Sequence, residues 1–237
     1  MTMKDSIVLV TGAGRGIGKA IALTLAWQGV NVVLTSRTLS ELEVMKKEIE
    51  SSGGRASTVP ADLTKDEDIE RLFEEIRKRF GRLDILVNNA GIGVFAPVRQ
   101  LALTDFDQMW NLNMRAVVLC TQSALKFMEP QKNGAIVNVA SLAGRNAFVG
   151  GAGYGATKWA LIGFARSLML EVREHNIRVV TICPGSVDTS FSPSQKEPAR
   201  SEKILHPQDV AETILGALTL PERAMVSEID IRPTNPK

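Results

Sequence analysis

The 237-residue chain is predicted to adopt an α/β fold, a doubly wound parallel sheet of about seven strands with helices on both faces. Three observations predict it. Short β-branched runs alternate with longer amphipathic stretches, the rhythm of strand–helix–strand units. The middle of most runs is continuously apolar, as in strands buried on both faces of a parallel sheet. The first run also passes through a glycine-rich turn directly into a helical pattern, the layout of a phosphate-holding turn.

Composition bounds the reading. At this length the chain is expected to be one domain, residues 1–237. Hydrophobic residues make up 44%, enough for a sizeable core, and no apolar stretch reaches the ~18 residues a spanning helix needs. The N-terminal segment lacks an apolar leader with a cleavage site, so a cytoplasmic location is expected and no membrane. Cys120 and Cys183 have no metal-ligand spacing and read as buried reduced thiols, with no metal site. A net charge of +2 with mixed signs gives no basic patch and no argument for nucleic acid.

The elements follow in order. Ser6–Val10 is the first strand, and Ile17–Gln28 the first helix, with Gly29 just past its end. Asn31–Thr35 is the second strand. Leu39, Leu42, Met45, Lys46 and Ile49 mark the next helix, followed by Gly53-Gly54, where a positive φ is wanted. Ala56–Val59 is the third strand. Thr64 is expected to cap a helix that starts with Asp66-Glu67-Asp68, carries Ile69, Leu72, Phe73 and Ile76, and ends at Gly81. Leu83–Val87 is the fourth strand, and a long helix runs from Phe106 to Met128. Ala135–Val139 is the fifth strand, and the next helix carries Tyr154, Leu161, Ile162, Phe164, Ala165, Leu168, Met169 and Val172. Arg178–Ile182 and Val226–Ile231 complete the sheet. Between them, Ser190 to Pro207 carries three prolines, several serines and scattered charges, and reads as a mobile loop at the mouth of a site. Trp27, Trp110 and Trp159 fall on helical patterns and read as packing or interface residues.

Two motifs carry chemistry. After Thr11 come Gly12, Gly16 and Gly18 in the spacing TGxxxGxG, which departs from the general GxGxxG fingerprint. Glycines here allow a tight bend and close approach of backbone to phosphate oxygens, and the helix N-terminus offers unpaired N–H groups to a diphosphate. Far downstream, Tyr154 and Lys158 lie one helical turn apart, thirteen residues after Ser141. A free phenol has a pKa of about 10. An ammonium on the same helical face favours the phenolate and is expected to lower that value, giving a proton relay. His175 and His206 have no such context and read as non-catalytic. Together the motifs point to hydride transfer between a nicotinamide and a carbonyl or alcohol.

The order of further residues resembles the short-chain dehydrogenase/reductase family from about residue 6 to 190. Asn88-Asn89-Ala90-Gly91 stands after the fourth strand, and Asn113 lies seven residues after Phe106. Asp62 sits in Ala61-Asp62-Leu63-Thr64, and Pro184-Gly185-Ser186-Val187-Asp188-Thr189 follows the sixth strand. The resemblance implies a Rossmann-type sheet and a catalytic set of Asn113, Ser141, Tyr154 and Lys158. Tyr154 would be the general acid or base, and Ser141 would hold the substrate oxygen. Lys158 would also hold the nicotinamide ribose, and Asn113 a water linking Lys158 to solvent. The cofactor-binding set it implies is Gly12, Gly14, Arg15, Gly16, Ile17, Gly18, Ser36, Arg37, Asp62, Leu63, Asn89, Ala90, Gly91, Tyr154, Lys158, Pro184, Gly185, Val187 and Thr189. It also implies a homodimer or homotetramer built on the two long helices.

No Asp or Glu occurs between Lys19 and Ser40, where NAD-binding relatives carry the acid that takes the ribose 2′-hydroxyl. Ser36 and Arg37 stand there instead, with Arg15 in the turn, so NADP (NADPH) is expected. The substrate is expected to be a small carbonyl or alcohol. Ala143, Phe148, Val149, Gly185 and the Ser190–Pro207 loop are expected to shape a pocket of mixed apolar character with no fixed charge partner. The first 185 residues resemble 3-oxoacyl-carrier-protein reductases, but the tail Val226–Thr234 lacks their Asp-Gly-Gly and is similar to reductases of small hydroxy acids, ketones or sugars. A cofactor-sensing or scaffold role on the same fold is the non-enzyme alternative. The full Asn113, Ser141, Tyr154, Lys158 set weighs against it.

Overall fold

The structure is a computed structural model that describes residues 3–191 and 203–235. Seven strands form one parallel sheet: β1 Ile7–Thr11, β2 Asn31–Thr35, β3 Arg55–Thr58, β4 Ile85–Asn88, β5 Gly134–Val139, β6 Ile177–Pro184 and β7 Glu228–Ile231. Their order is β3-β2-β1-β4-β5-β6-β7, so the chain reverses its direction of travel across the sheet between β1 and β4. The register of the pair places Val10 beside Val87, and both strands end at one rim. All seven expected strands form, with ends shifted by at most two residues.

The helices are α1 Gly16–Ala26, α2 Leu39–Ser51, α3 Asp66–Phe80, α4 Leu103–Trp110, α5 Ala116–Gln131, α6 Ala152–Val172 and α7 Pro207–Leu218. One sheet face packs α1, α2 and α7 against Val8, Val10, Val32, Leu34, Val87, Val137 and Val180. The other packs α3, α5 and α6 against Leu9, Val33, Leu86, Ile136 and Val179. Alternate residues of each strand serve opposite faces, which is why the central runs carry no polar–apolar alternation.

Several local expectations change. The helix expected from Phe106 to Met128 is interrupted by a π-helical turn at Asn111–Arg115. Such a turn inserts a residue into the hydrogen-bond ladder and commonly marks a functional position. Thr64 does not cap α3. Lys65 occupies that position, and Thr64 donates its hydroxyl (2.7 Å) and backbone N–H (3.1 Å) to Asp62 Oδ1. Gly29, Gly53 and Gly81 take positive φ, whereas Gly54 does not. In α2, Leu42, Met45 and Ile49 are buried while Leu39 is exposed. Pro207 opens α7 at its first turn, where a missing N–H costs nothing, so it belongs to a helix and not to the preceding loop. Residues 192–202 of that loop lie outside the described residues. Trp27, Trp110 and Trp159 are all surface residues, not core packing. Cys120 and Cys183 are both buried. Among the described residues, no helix is long and apolar enough to cross a membrane.

Candidate active site

A cleft of about 1040 Å³ opens at the C-terminal rim of the sheet, where β1 and β4 diverge. Open α/β sheets leave such a crevice where strand order reverses. Every residue expected to bind cofactor or substrate oxygen lines it, and Asn113 lies directly behind it.

The glycine turn is braced from β4. Thr11 Oγ1 donates to the Val87 carbonyl (3.1 Å) and accepts from the N–H groups of Asn89 (2.9 Å) and Ala90 (3.0 Å). Asn89 Nδ2 donates to the Thr11 carbonyl at 2.8 Å. Gly18 lets α1 sit against the turn, since a Cβ there would come 2.1 Å from the Gly12 carbonyl oxygen. No side chain caps α1, so its leading N–H groups face the cleft unspent. Ser36 Oγ is buried with no hydrogen-bond partner among the described residues, and Arg15 and Arg37 stand exposed at the same end. An orphaned hydroxyl, an uncapped helix and two guanidinium groups fit the phosphate and ribose groups of a dinucleotide.

Glu41 also lines this end. Its Oε2 lies 2.6 Å from where a Cβ on Gly14 would stand. It lies just beyond the acid-free stretch from Lys19 to Ser40, because the carboxylate arrives from the first turn of α2 and not from the end of β2.

At the other end, α6 brings Tyr154 and Lys158 to the cleft floor, both buried. Burial pushes the Tyr154 phenol up to about 12, and a hydrogen bond with Ser141 pulls the other way. Lys158 Nζ donates to the Val139 carbonyl at 2.9 Å and lies 5.8 Å from the centre of the Tyr154 ring. Burial lowers Lys158 to about 8. The expected depression of the phenol by Lys158 is therefore reversed. Desolvation is the largest cause at both groups and drives each towards neutrality, and at the phenol it is opposed by the hydrogen bond with Ser141.

Asn113 is buried in the π-helical turn, whereas Asn111 is exposed. Its Oδ1 accepts from Ile92 N (2.9 Å), and its Nδ2 donates to the Ile92 carbonyl (2.8 Å) and Thr157 Oγ1 (3.1 Å). Thr157 in turn donates to the Tyr154 carbonyl at 2.8 Å. This side chain clamps the segment after β4 to the helix that carries Tyr154. A Cβ on Gly91 would approach Asn113 Oδ1 to 3.1 Å and Lys158 Nζ to 3.7 Å.

Ser141 ends β5 and accepts from Ala143 N at 3.1 Å, capping a short turn over Leu142–Gly144. Arg145 ties that turn to β7, donating to Asp230 Oδ1 and Glu228 Oε2 at 2.5 Å each. Arg166 of α6 donates to Glu228 Oε1 at 2.6 Å. The two arginines hold the Glu228 carboxyl down to about 2.

Around Tyr154, Phe148 lines the cleft as expected, but Val149 points to solvent and is 95% exposed. Phe95 and Phe191 join the wall unannounced, since isolated phenylalanines in loops carry no spacing signal. Lys203 and Arg232 also line the cleft, so it is not free of charge. His206 serves as the N-cap of α7 in a reciprocal pair with Asp209, and neither it nor His175 lines the cleft.

Comparison with known proteins bears on what such a cleft is for. The family model described as short chain dehydrogenase matches residues 6–200. An uncharacterized oxidoreductase of Staphylococcus aureus is 34% identical over 231 residues, covering 98% of each chain. A metagenomic short-chain oxidoreductase in complex with NADP is 34% identical, with a TM-score of 0.87 over 99% of both chains. A 7α-hydroxysteroid dehydrogenase complexed with NADH and 7-oxo glycochenodeoxycholic acid is 28% identical, with a TM-score of 0.91 over 99% of this chain and 96% of that one. A nucleotide-shaped cleft over a buried Tyr–Lys pair, matched along almost its whole length, makes this chain a member of the short-chain dehydrogenase family and an oxidoreductase that uses a nicotinamide cofactor.

Proposed function

We propose that this oxidoreductase, acting as one domain, interconverts a carbonyl and a secondary or primary alcohol with NADP(H), using Tyr154 as the proton relay. One observation carries the reading. The only tyrosine of the chain lies buried at the cleft floor, hydrogen-bonded with Ser141, with Lys158 one turn further along α6. When bound, the reduced nicotinamide supplies a hydride to the carbonyl carbon. The chain's own groups do the rest. Ser141 and Tyr154 orient the substrate oxygen, and the phenol proton passes to it as negative charge develops there. With burial holding the phenol near 12, Tyr154 is protonated at neutral pH and so carries the proton that a reduction consumes. Lys158 returns a proton to the phenolate side of the cleft, and the Asn113 clamp keeps α6 in register with the segment after β4. Arg15, Ser36 and Arg37 would hold a 2′-phosphate, and NADP-bound relatives support that choice. The NADH-bound relative and Glu41 limit how exclusive it is.

The test is NADPH consumption over a panel of ketones, aldehydes and 3-oxoacyl thioesters. Turnover of any carbonyl supports the reading. Tight NADPH binding with no turnover across the panel would favour a sensing role and overturn it.

The same reading includes a cytoplasmic homodimer or homotetramer. Trp110, Trp159 and Leu170 leave apolar side chains exposed on α4 and α6, which support that reading.

A further inference from the structure

The wall around Tyr154 suggests the kind of substrate the cleft accepts. Phe95 meets the Tyr154 ring edge-on, with centroids 5.3 Å apart at 71°. Phe191 lies 5.7 Å from the same ring, and Phe148 lies 5.9 Å from Phe95. These rings come from three separate segments, after β4, before α6 and after β6, and none is held there by chain proximity. Each keeps between 41% and 48% of its surface open. Burying a large aromatic ring is strongly favoured, so three left half-open around one buried phenol leave an apolar face for a ligand to cover.

Glycines fix where the rings stand. A Cβ on Gly93 would come 2.8 Å from Phe191 Cε1 and 3.1 Å from Phe95 Cζ. A Cβ on Gly151 would come 2.5 Å from Phe148 Cε1. The backbone thus yields space to the rings at two points, and a bulkier residue at either would displace them. Among the residues of 89–95, 146–148 and 185–191 that line the cleft, none is charged. Lys203 and Arg232 line it from other segments, and the Arg232 guanidinium is engaged by Asp230 at 3.3 Å.

Resting on the carbonyl-reductase reading, we propose that the substrate is a ketone or aldehyde bearing an aryl group next to the carbonyl, with no carboxylate or phosphate. An aryl ring set among Phe95, Phe148 and Phe191 would have edge and face partners at the 4.5–7 Å spacing that aromatic pairs prefer. A carboxylate in that position would lose its water and gain no cationic partner from these three segments. The carbonyl oxygen would then reach Ser141 and Tyr154.

The experiment compares acetophenone, 2-octanone and pyruvate with NADPH, in wild type, Phe95→Ala and Phe95→Leu. Wild type should show kcat/KM at least about tenfold higher for acetophenone than for either other compound. Phe95→Ala should lose about tenfold on acetophenone, mostly through KM, with NADPH affinity unchanged in a fluorescence titration. Phe95→Leu, which keeps apolar bulk without the ring, should fall between them. Faster turnover of pyruvate, or an equal loss on all three compounds in Phe95→Ala, would overturn the assignment. If no carbonyl turns over, the reductase reading fails, and saturation-transfer NMR of acetophenone on the NADPH complex still decides this one. A transfer signal present in wild type and abolished in Phe95→Ala supports the aryl site. No transfer to acetophenone in wild type removes it.

Discussion

Glu41 holds its carboxylate against Gly14, with Oε2 2.6 Å from the position a Cβ would take there and Ser36 Oγ 3.4 Å from the same point. A negative group therefore shares the ribose end of the cleft with Arg15 and Arg37. The carboxylate can accept from a free 2′-hydroxyl and repels a 2′-phosphate. A charge-assisted hydrogen bond is worth about 1.5–3 kcal/mol, or roughly ten- to hundredfold in affinity. Arg37→Ala should weaken NADPH by that factor and leave NADH nearly unchanged. Glu41→Gln should move the NADPH/NADH ratio the other way by several-fold. Dissociation constants from fluorescence titration read both, and a variant that shifts the two cofactors equally would show that its residue does not read the 2′ position.

Tyr154→Phe keeps the ring and its contacts with Phe95 and Phe191 while removing the hydroxyl. NADPH should still bind, and turnover of any accepted carbonyl should fall by about 10²–10⁴, the usual worth of a general acid. Near-normal turnover would remove Tyr154 from the mechanism.

Glu228 predicts an acid-sensitive fold. Its folded-state pKa of about 2 lies below the ordinary 4.5 because Arg166 and Arg145 favour the charged form. A depressed carboxyl pKa stabilises the fold above about pH 4.5, and that contribution disappears as pH falls towards about 2. Glu228→Gln should therefore lower Tm at pH 7, and the gap to wild type should close across that window. A gap that persists at pH 2–3 would mean the effect is packing and not charge.

Gly18→Ala forces a methyl group to within 2.1 Å of the Gly12 carbonyl oxygen. Overpacking of this sort costs about 1–3 kcal/mol or more. Both Tm and NADPH affinity should drop, because α1 and the turn must separate. Gly163→Ala is the control, since no atom lies within 4 Å of its Cβ position.

The subunit mass is 25.7 kDa, and sedimentation at micromolar concentration should give two or four times that. A clean monomer would refute the interface on α4 and α6.

Much of the fold is legible in the chain because its signals are local. β-Branched runs such as Asn31–Thr35 and Ala135–Val139 announce buried strands, and glycines past helix ends announce turns. The motif residues are legible for the same reason, since Thr11 to Gly18 and Tyr154 to Lys158 each fit in two turns of chain. What escaped is tertiary. Glu41, Phe95 and Phe191 reach the cleft from separate segments, and no spacing links them to it. The π-helical turn at Asn111–Arg115 leaves the apolar periodicity of Met109 to Val117 nearly intact, so the pattern reads as one helix. The direction of the Tyr154 shift depends on how completely the phenol is desolvated, which spacing along one helix face does not reveal.

The clamp from β7 onto Arg145 also sets an order of events during synthesis. A nascent chain extended to residue 190 already contains Asn113, Ser141, Tyr154 and Lys158, but not the two carboxylates that anchor the turn beside Ser141. Those arrive with the last strand, which adds to the edge of the sheet farthest from the nucleotide-binding half. The turn beside Ser141 is therefore tethered only once β7 has joined the sheet, and the glycine turn gains its full support only when α7 packs on α1. A chain interrupted anywhere between β6 and β7 would be left with its serine turn untethered.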